Sequence, residues 1–255
     1  MYLRKYVEIY IEVVNLSIRL NIYHDSIYKL KNEISDLIVN FSNYLLSYKD
    51  YKLGEINIVD NREKLYKLLD GKGIDYDKYC VGKYCDNCVY VVMDDLRECN
   101  IENIATFMIA IFHEIVHASI IYLDESGCSN EFIVFLHEYL ANYISYDYII
   151  KLLTDDIVKQ NYFKSIERQV MLTHLNDKAS FEYKTSTKMA CMDILKKHKF
   201  FPNDYEPIEY LRYYHYGLKA MCYEINSIID NKKYLSVDEV RKLESQYYKL
   251  KDKRF

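Results

Sequence analysis

The stretch from Asn103 to Leu123 is apolar except where it reads IFHEIVHASI, at residues 111–120. As a helix it is long enough to cross a bilayer, and the alternative place for so apolar a helix is the centre of a fold, buried on all sides. The whole chain carries 29 Tyr and 28% charged residues, its mean hydropathy is -0.26, and it offers no companion spans. A buried central helix is therefore expected, with no membrane association. That makes His113, Glu114 and His117 the residues to explain, because polar groups are costly to bury without partners.

The composition sets the frame for such a helix. A chain of 255 residues, half of them hydrophobic, can bury a substantial core. A net charge of -4 over 34 basic and 38 acidic residues gives no electrostatic footprint for nucleic acid. The locally basic C-terminus, RKLESQYYKLKDKRF, reads as a solvated helix end. Seven cysteines at irregular spacing fit a reducing compartment. Glu8 and Glu12 interrupt what would have to be the apolar part of an export signal. The expected location is cytoplasmic.

Two prolines and six glycines leave no linker, so residues 1–255 are expected to form one domain. It has an N-terminal helical and strand part (1–99), a helix pair (100–153) and a helical C-terminal part (154–255). The first 22 residues match both a strand pair and a helix face. Residues 25–50 and 61–70 read as helices, the second closed by Gly71 and Gly73, and CVYVVMDD (88–95) reads as a strand. A helix is expected from Ile101, capped by Asn100, to Leu123, with DESGCS turning the chain. Another runs from Glu131, capped by Ser129 or Asn130, to Leu153. The remainder reads as helical and polar-faced, with a break at FFPNDYEP (200–207). The fold class is α+β, mainly helical, with a small sheet before the central helix.

On that helix, His113 and His117 lie one turn apart and can point two imidazoles at one ion, with Glu114 beside them to handle a proton. With 7 His and 18 Glu in the chain, chance supplies roughly 0.01 such H-E-x-x-H patterns. A catalytic zinc needs a third protein ligand, and the next helix offers His137 and Glu138. If the two helices pack antiparallel, His117 lies ~9 Å, His113 ~15 Å and Glu138 ~12 Å from the turn, which sets Glu138 midway between the histidines. Glu138 shares its stripe with Val134, Ala141, Asn142 and Ser145, mostly small residues that admit a neighbouring helix, whereas His137 lies with Ile133, Leu140 and Ile144. Glu138 is the expected ligand and His137 a partly buried core histidine. Asn142 is placed to orient a ligating imidazole.

HEIVH, followed 21 residues after its last His by EYLANYIS, resembles the zinc metallopeptidases of the ImmA/IrrE type, whose signature is HExxH and then a helix reading E-x-x-A-N-x-F-A. The likeness covers residues 88 to about 145. It implies a zincin-like fold in which Zn2+ is bound by His113, His117 and Glu138, Glu114 is the general base, and Ala141 and Asn142 fill the A-N positions. Val116, Phe112, Ile144 and Ser145 depart from that pattern, and no helix-turn-helix segment accompanies it. The activity implied is zinc-dependent cleavage of an intracellular protein or peptide substrate.

Three further readings accompany this one. A donor for the reaction's oxyanion is sought in YYHYG, at His215 or Tyr216. Cys80, Cys85, Cys88 and Cys99 read as isolated reduced thiols rather than as a structural zinc site, because their spacing is irregular. The alternative to an enzyme is a zincin-shaped binding module that recognises a protein partner through the tyrosine-rich C-terminal helices.

Overall fold

The computed structural model describes residues 7–13, 16–45, 52–76, 80–93, 101–175, 179–200, 216–232 and 234–251. The ambiguous N-terminus is a β-hairpin, β1 (Val7–Val13) and β2 (Leu16–Ile22). The burial alternates as in strands: Ile11, Val13, Ile18, Leu20 and Ile22 are buried, while Glu8, Tyr10, Glu12, Ser17 and Arg19 face out. The short helix α1 (Asp25–Tyr28) and then α2 (Lys31–Leu45) follow. Next come β3 (Glu55–Val59) and α3 (Arg62–Asp70), the latter capped by the Asn61 side chain on Lys64 N–H. Strands β4 (Gly82–Cys85) and β5 (Cys88–Val92) form a second hairpin around Asp86 and Asn87, both in the left-handed region.

The sheet order is β1-β2-β3-β5-β4, with β2, β3 and β5 parallel and the two hairpins antiparallel. β4 is therefore an edge strand. One sheet face packs on α2 and on the central helix. On the other face, Asn21 and Asn57 pair directly in register, Asn21 Nδ2 donating to Asn57 Oδ1 at 3.1 Å and to Glu55 Oε1 at 2.8 Å. Arg19 closes over Glu55 with an ion pair.

The expected single helix from Ile101 to Leu123 is divided. It consists of α4 (Ile101–Phe107), a turn at Met108, α5 (Ile109–Ile120) and a 3-10 segment (Ile121–Ser126) ended by Gly127 at φ 75°. The 3-10 winding has a longer rise per residue than an α-helix, and the last helices of the chain hold it. Arg241 Nε donates to Ser126 O (3.0 Å), and the backbone N–H of Leu235 donates to the Tyr122 hydroxyl (3.2 Å). Asn100, the expected cap, lies outside the described residues, as do Cys99, His215 and most of residues 200–207.

The next helix, α6 (Asn130–Leu152), starts at Ser129, whose hydroxyl accepts from Phe132 N–H. Every residue from Tyr139 to Ile150 is buried, because α5 packs on one side and α8 (Phe181–Lys197) on the other. Helices α7 (Asp156–Leu175), α9 (Tyr216–Lys232) and α10 (Val237–Lys251) complete the layer. One continuous core runs from Ile11 to Tyr247. Among the described residues, no helix is long and apolar enough to cross a membrane.

Asp147, on α6, is buried and carries a cluster of cations. Its carboxylate meets His198 Nε2 at 2.8 Å, Lys151 Nζ at 2.5 Å and Lys197 Nζ at 3.2 Å. Burial alone would raise its pKa, but the hydrogen bonds of His198 and Lys151 and the charge of Lys197 hold it well below the usual carboxylate range. A carboxyl depressed by folding contributes stability above its unfolded pKa and loses it as pH falls through the folded value. Asp147→Asn is therefore expected to lower stability by about 1.5–3 kcal/mol at pH 7. The difference from wild type should shrink steadily once the pH drops below the ordinary Asp value of 3.8. Urea titrations of both proteins across that range measure it, and a gap that does not change with pH contradicts the assignment.

Candidate metal centre

Helix α5 is held so that its polar residues meet α6 and the edge strand. Ile111, Phe112, Ile115, Val116, Ala118 and Ser119 are buried, and this fixes the rotation of the helix. His113 and His117 then emerge together on one face, as their four-residue spacing requires. Their Nε2 atoms stand 3.1 Å apart. Glu138 reaches across from α6 with one carboxylate oxygen toward each, Oε2 at 3.5 Å from His113 Nε2 and Oε1 at 3.7 Å from His117 Nε2. The near-equal distances agree with the midway height expected from helix rise.

This is the one convergent group of three metal-ligating side chains among the described residues. Its dimensions fit an ion. Two ligand atoms at about 2.0–2.1 Å from a tetrahedral zinc lie roughly 3.3 Å apart, close to the 3.1 Å between the two Nε2 atoms, and a Glu138 carboxylate oxygen lies within 4.8 Å of both. Glu138 Oε2 is buried without a hydrogen-bond partner, a cost of about 1–3 kcal/mol that a cation would relieve. The protonation states of His117 and Glu138 suit ligation too. Burial and the neighbouring His113 drive His117 down to about 3, so its imidazole is neutral at pH 7. Burial would raise the Glu138 pKa, but His113 and His117 overcome that and keep it a carboxylate. His113 is pushed down by burial and then, more strongly, up by Glu138, Glu114 and a hydrogen bond to the Asn142 side chain. Asn142 is itself anchored, its Nδ2 donating to the Glu138 carbonyl at 2.8 Å and to Thr187 Oγ1 at 3.4 Å.

Glu114 lines the same cleft as these donors and meets β4. It is 9% exposed, accepts a hydrogen bond from the Tyr84 backbone N–H, and is raised to about 7, chiefly by burial. The strand passes very close: a Cβ at position 82 would lie 2.7 Å from Glu114 Oε1 and 3.0 Å from its Cγ. Gly82 is the residue that lets the edge strand and the carboxylate share this space. A cleft of about 430 Å³ opens between β4 and the two helices, lined by Gly82, Lys83, Glu114, Asp124, His137 and Glu138 among others.

His137 differs from the expected core histidine. It lines the cleft, its ring stacked on that of His117 at 5.8 Å and its Nε2 3.3 Å from Asp124 Oδ1. A stripe argument could not find this, because it depends on where β4 and the 3-10 segment pass this level of α6. Lys83, Tyr84 and Asp124 were missed as well. The readable signal was Gly82 inside a short strand, which marks a close backbone approach, and the Asp-Asn pair, which marks a hairpin. Cys85 and Cys88 face each other across that hairpin, and Cys80 Sγ donates to Gly82 O at 3.0 Å. None of the three is in a disulfide. Tyr216 opens α9.

No family model, curated protein or solved structure matches this chain.

Glu138→Ala should weaken binding of added Zn2+ by at least 10-fold through loss of one ligand, whereas His137→Ala should leave it nearly unchanged. Calorimetry with the metal alone distinguishes them, and a larger loss with His137→Ala reverses the assignment. Gly82→Ala should destabilise the fold by about 1–3 kcal/mol through overpacking. That cost should largely vanish in a Glu114→Ala background, as a double-mutant cycle on thermal unfolding can read; equal costs in both backgrounds mean that the two residues do not touch.

Proposed function

We propose that the chain is a zinc-dependent peptidase with a zincin-like site, and that it acts on an intracellular protein or peptide as the ImmA/IrrE-type resemblance implies. The observation that carries this reading is the convergence of His113 Nε2, His117 Nε2 and the Glu138 carboxylate at 3.1–3.7 Å, with a second buried carboxylate, Glu114, one residue from a ligand on the same helix. Three protein ligands leave a fourth position open, which is the pattern of a catalytic rather than a structural zinc.

When bound, zinc lowers the pKa of water towards ~7 and polarises a carbonyl. His113, His117 and Glu138 hold the ion, and Asn142 orients His113. Glu114 is the general base: its carboxylate takes a proton from the attacking water and returns it to the leaving amine. The Tyr84 N–H and the close pass of Gly82 keep that carboxylate in one place. Among the described residues β4 is an edge strand bordering the cleft; its Tyr84 N–H is taken by Glu114, and the remainder of such an edge can receive an extended peptide by strand addition. This favours a peptide over a compact substrate. A cytoplasmic location accords with the free thiols and the absence, among the described helices, of a membrane-crossing one.

Glu114→Gln preserves size and shape, so fold and zinc content should persist while cleavage falls by about 10²–10⁴-fold. Wild type and variant are incubated with host lysate, and new peptide termini are followed by mass spectrometry. Identical termini at similar rates from both remove the peptidase reading and leave the binding-module alternative.

A further inference from the structure

We infer that His137 is a catalytic residue of this site, one that donates a hydrogen bond to the carbonyl oxygen of the peptide bond under attack. The inference rests on the peptidase reading and deepens it.

His137 precedes Glu138 on α6, so its ring is carried by the same rigid helix as a candidate ligand, and it stacks against the ring of His117 at 28° and 5.8 Å. It forms part of the wall of the cleft that holds Glu114 and Glu138. Yet it stands outside the group of converging ligand atoms, so it is a neighbour of the metal centre rather than part of its donor set. Its Nε2 is sealed from solvent and has no hydrogen-bond partner, although Asp124 Oδ1 lies only 3.3 Å away. The two groups are near each other without the alignment a hydrogen bond requires.

A buried ring nitrogen left unpaired costs about 1–3 kcal/mol, and an orphan of this kind next to a cleft is accounted for by a group that arrives later. The two neighbours differ in freedom. His137 is 15% exposed and fixed on a long helix, whereas Asp124 is 52% exposed on the 3-10 segment. A substrate carbonyl entering the cleft takes the place of the Asp124 oxygen against Nε2 and receives the bond that is otherwise unmade. Before that, the Asp124 carboxylate favours the tautomer with the proton on Nε2. As the water oxygen adds to the carbonyl carbon, the C=O π pair moves onto oxygen, and a donor already in place stabilises the charge gathering there. Glu114 keeps the proton of the water, so His137 donates a hydrogen bond without giving up its own proton.

The test uses zinc-loaded full-length protein and an N-phosphoryl dipeptide, whose tetrahedral phosphoryl group mimics the attacked carbon. Wild type, His137→Ala and His137→Gln are compared for zinc content, for calorimetric affinity for this probe, and for kcat and KM on the peptide found by terminal profiling. At equal zinc content, His137→Ala should bind the probe about 10–100-fold less tightly and lose about 10²–10³ in kcat with little change in KM. His137→Gln, which retains an N–H donor, should recover part of both. Unchanged affinity and kcat in His137→Ala overturns the role, as does a loss that Gln fails to recover, which marks mere packing. Loss of zinc in His137→Ala overturns it in favour of a fourth ligand. A zinc-loaded wild type that neither binds the probe nor cleaves removes the peptidase reading, and the inference falls with it.

Discussion

Two imidazoles and two carboxylates are withheld from water at the junction of α5, α6 and β4, and much of the fold is arranged around tolerating that. Charges and dipoles placed in a poorly solvated interior must satisfy one another or shift their protonation. Here they do both. Glu138 remains ionised because two histidines surround it, His117 loses its proton, and Glu114 is relieved by the Tyr84 N–H while burial pushes it toward the neutral form. The cluster is an electrostatic unit in which removing one member changes the others. Such a unit persists only where the packing around it is rigid, and α5, wedged between the sheet and α6, supplies that rigidity.

α6 carries a second group of this kind about two and a half turns beyond Glu138. Asp147 pairs with Lys151 and Lys197 and bonds to His198, while Tyr139 donates to Asp193 at 2.6 Å and Lys197 Nζ bridges to Asp230 at 2.8 Å. These contacts clamp α6 to α8 and α9. A helix apolar around its whole circumference could otherwise rotate or slide between its neighbours with little loss of hydrophobic contact. The polar clamps fix its register, and with it the position of Glu138 between the two histidines.

How much of this was readable in the chain depends on the range of the physics involved. The H-E-x-x-H spacing and the rise of an α-helix are local, and they suffice to bring His113, His117 and Glu138 together. Alternation in the first 22 residues is equally local, but helix and strand patterns overlapped there. Pairing of β2 with β3, distant in sequence, decided the matter by giving those residues partners. What could not be read was non-local. The closeness of Gly82 to Glu114 depends on where an edge strand crosses a helix. The place of His137 depends on a 3-10 segment that brings Asp124 alongside it, and that segment is bonded in turn to residues Leu235 and Arg241. The division of the long apolar stretch at Met108 belongs to the same class, since the sequence there contains no proline or glycine.

The start of α6 is tied to the last helix. The Ser129 N–H donates to Glu244 at 2.7 Å, and the Tyr248 hydroxyl donates to Ser129 Oγ at 2.6 Å. The side chain that caps the helix bearing Glu138 is thus gripped by residues more than a hundred positions later. During synthesis, α5 and α6 leave the ribosome well before α10 exists, and through that interval the cap of α6 lacks its outer partners. A nascent chain therefore carries the ligands long before it carries the clasp that seats them. Timing of this kind delays the finished site until the segment around Glu244 and Tyr248 has been made.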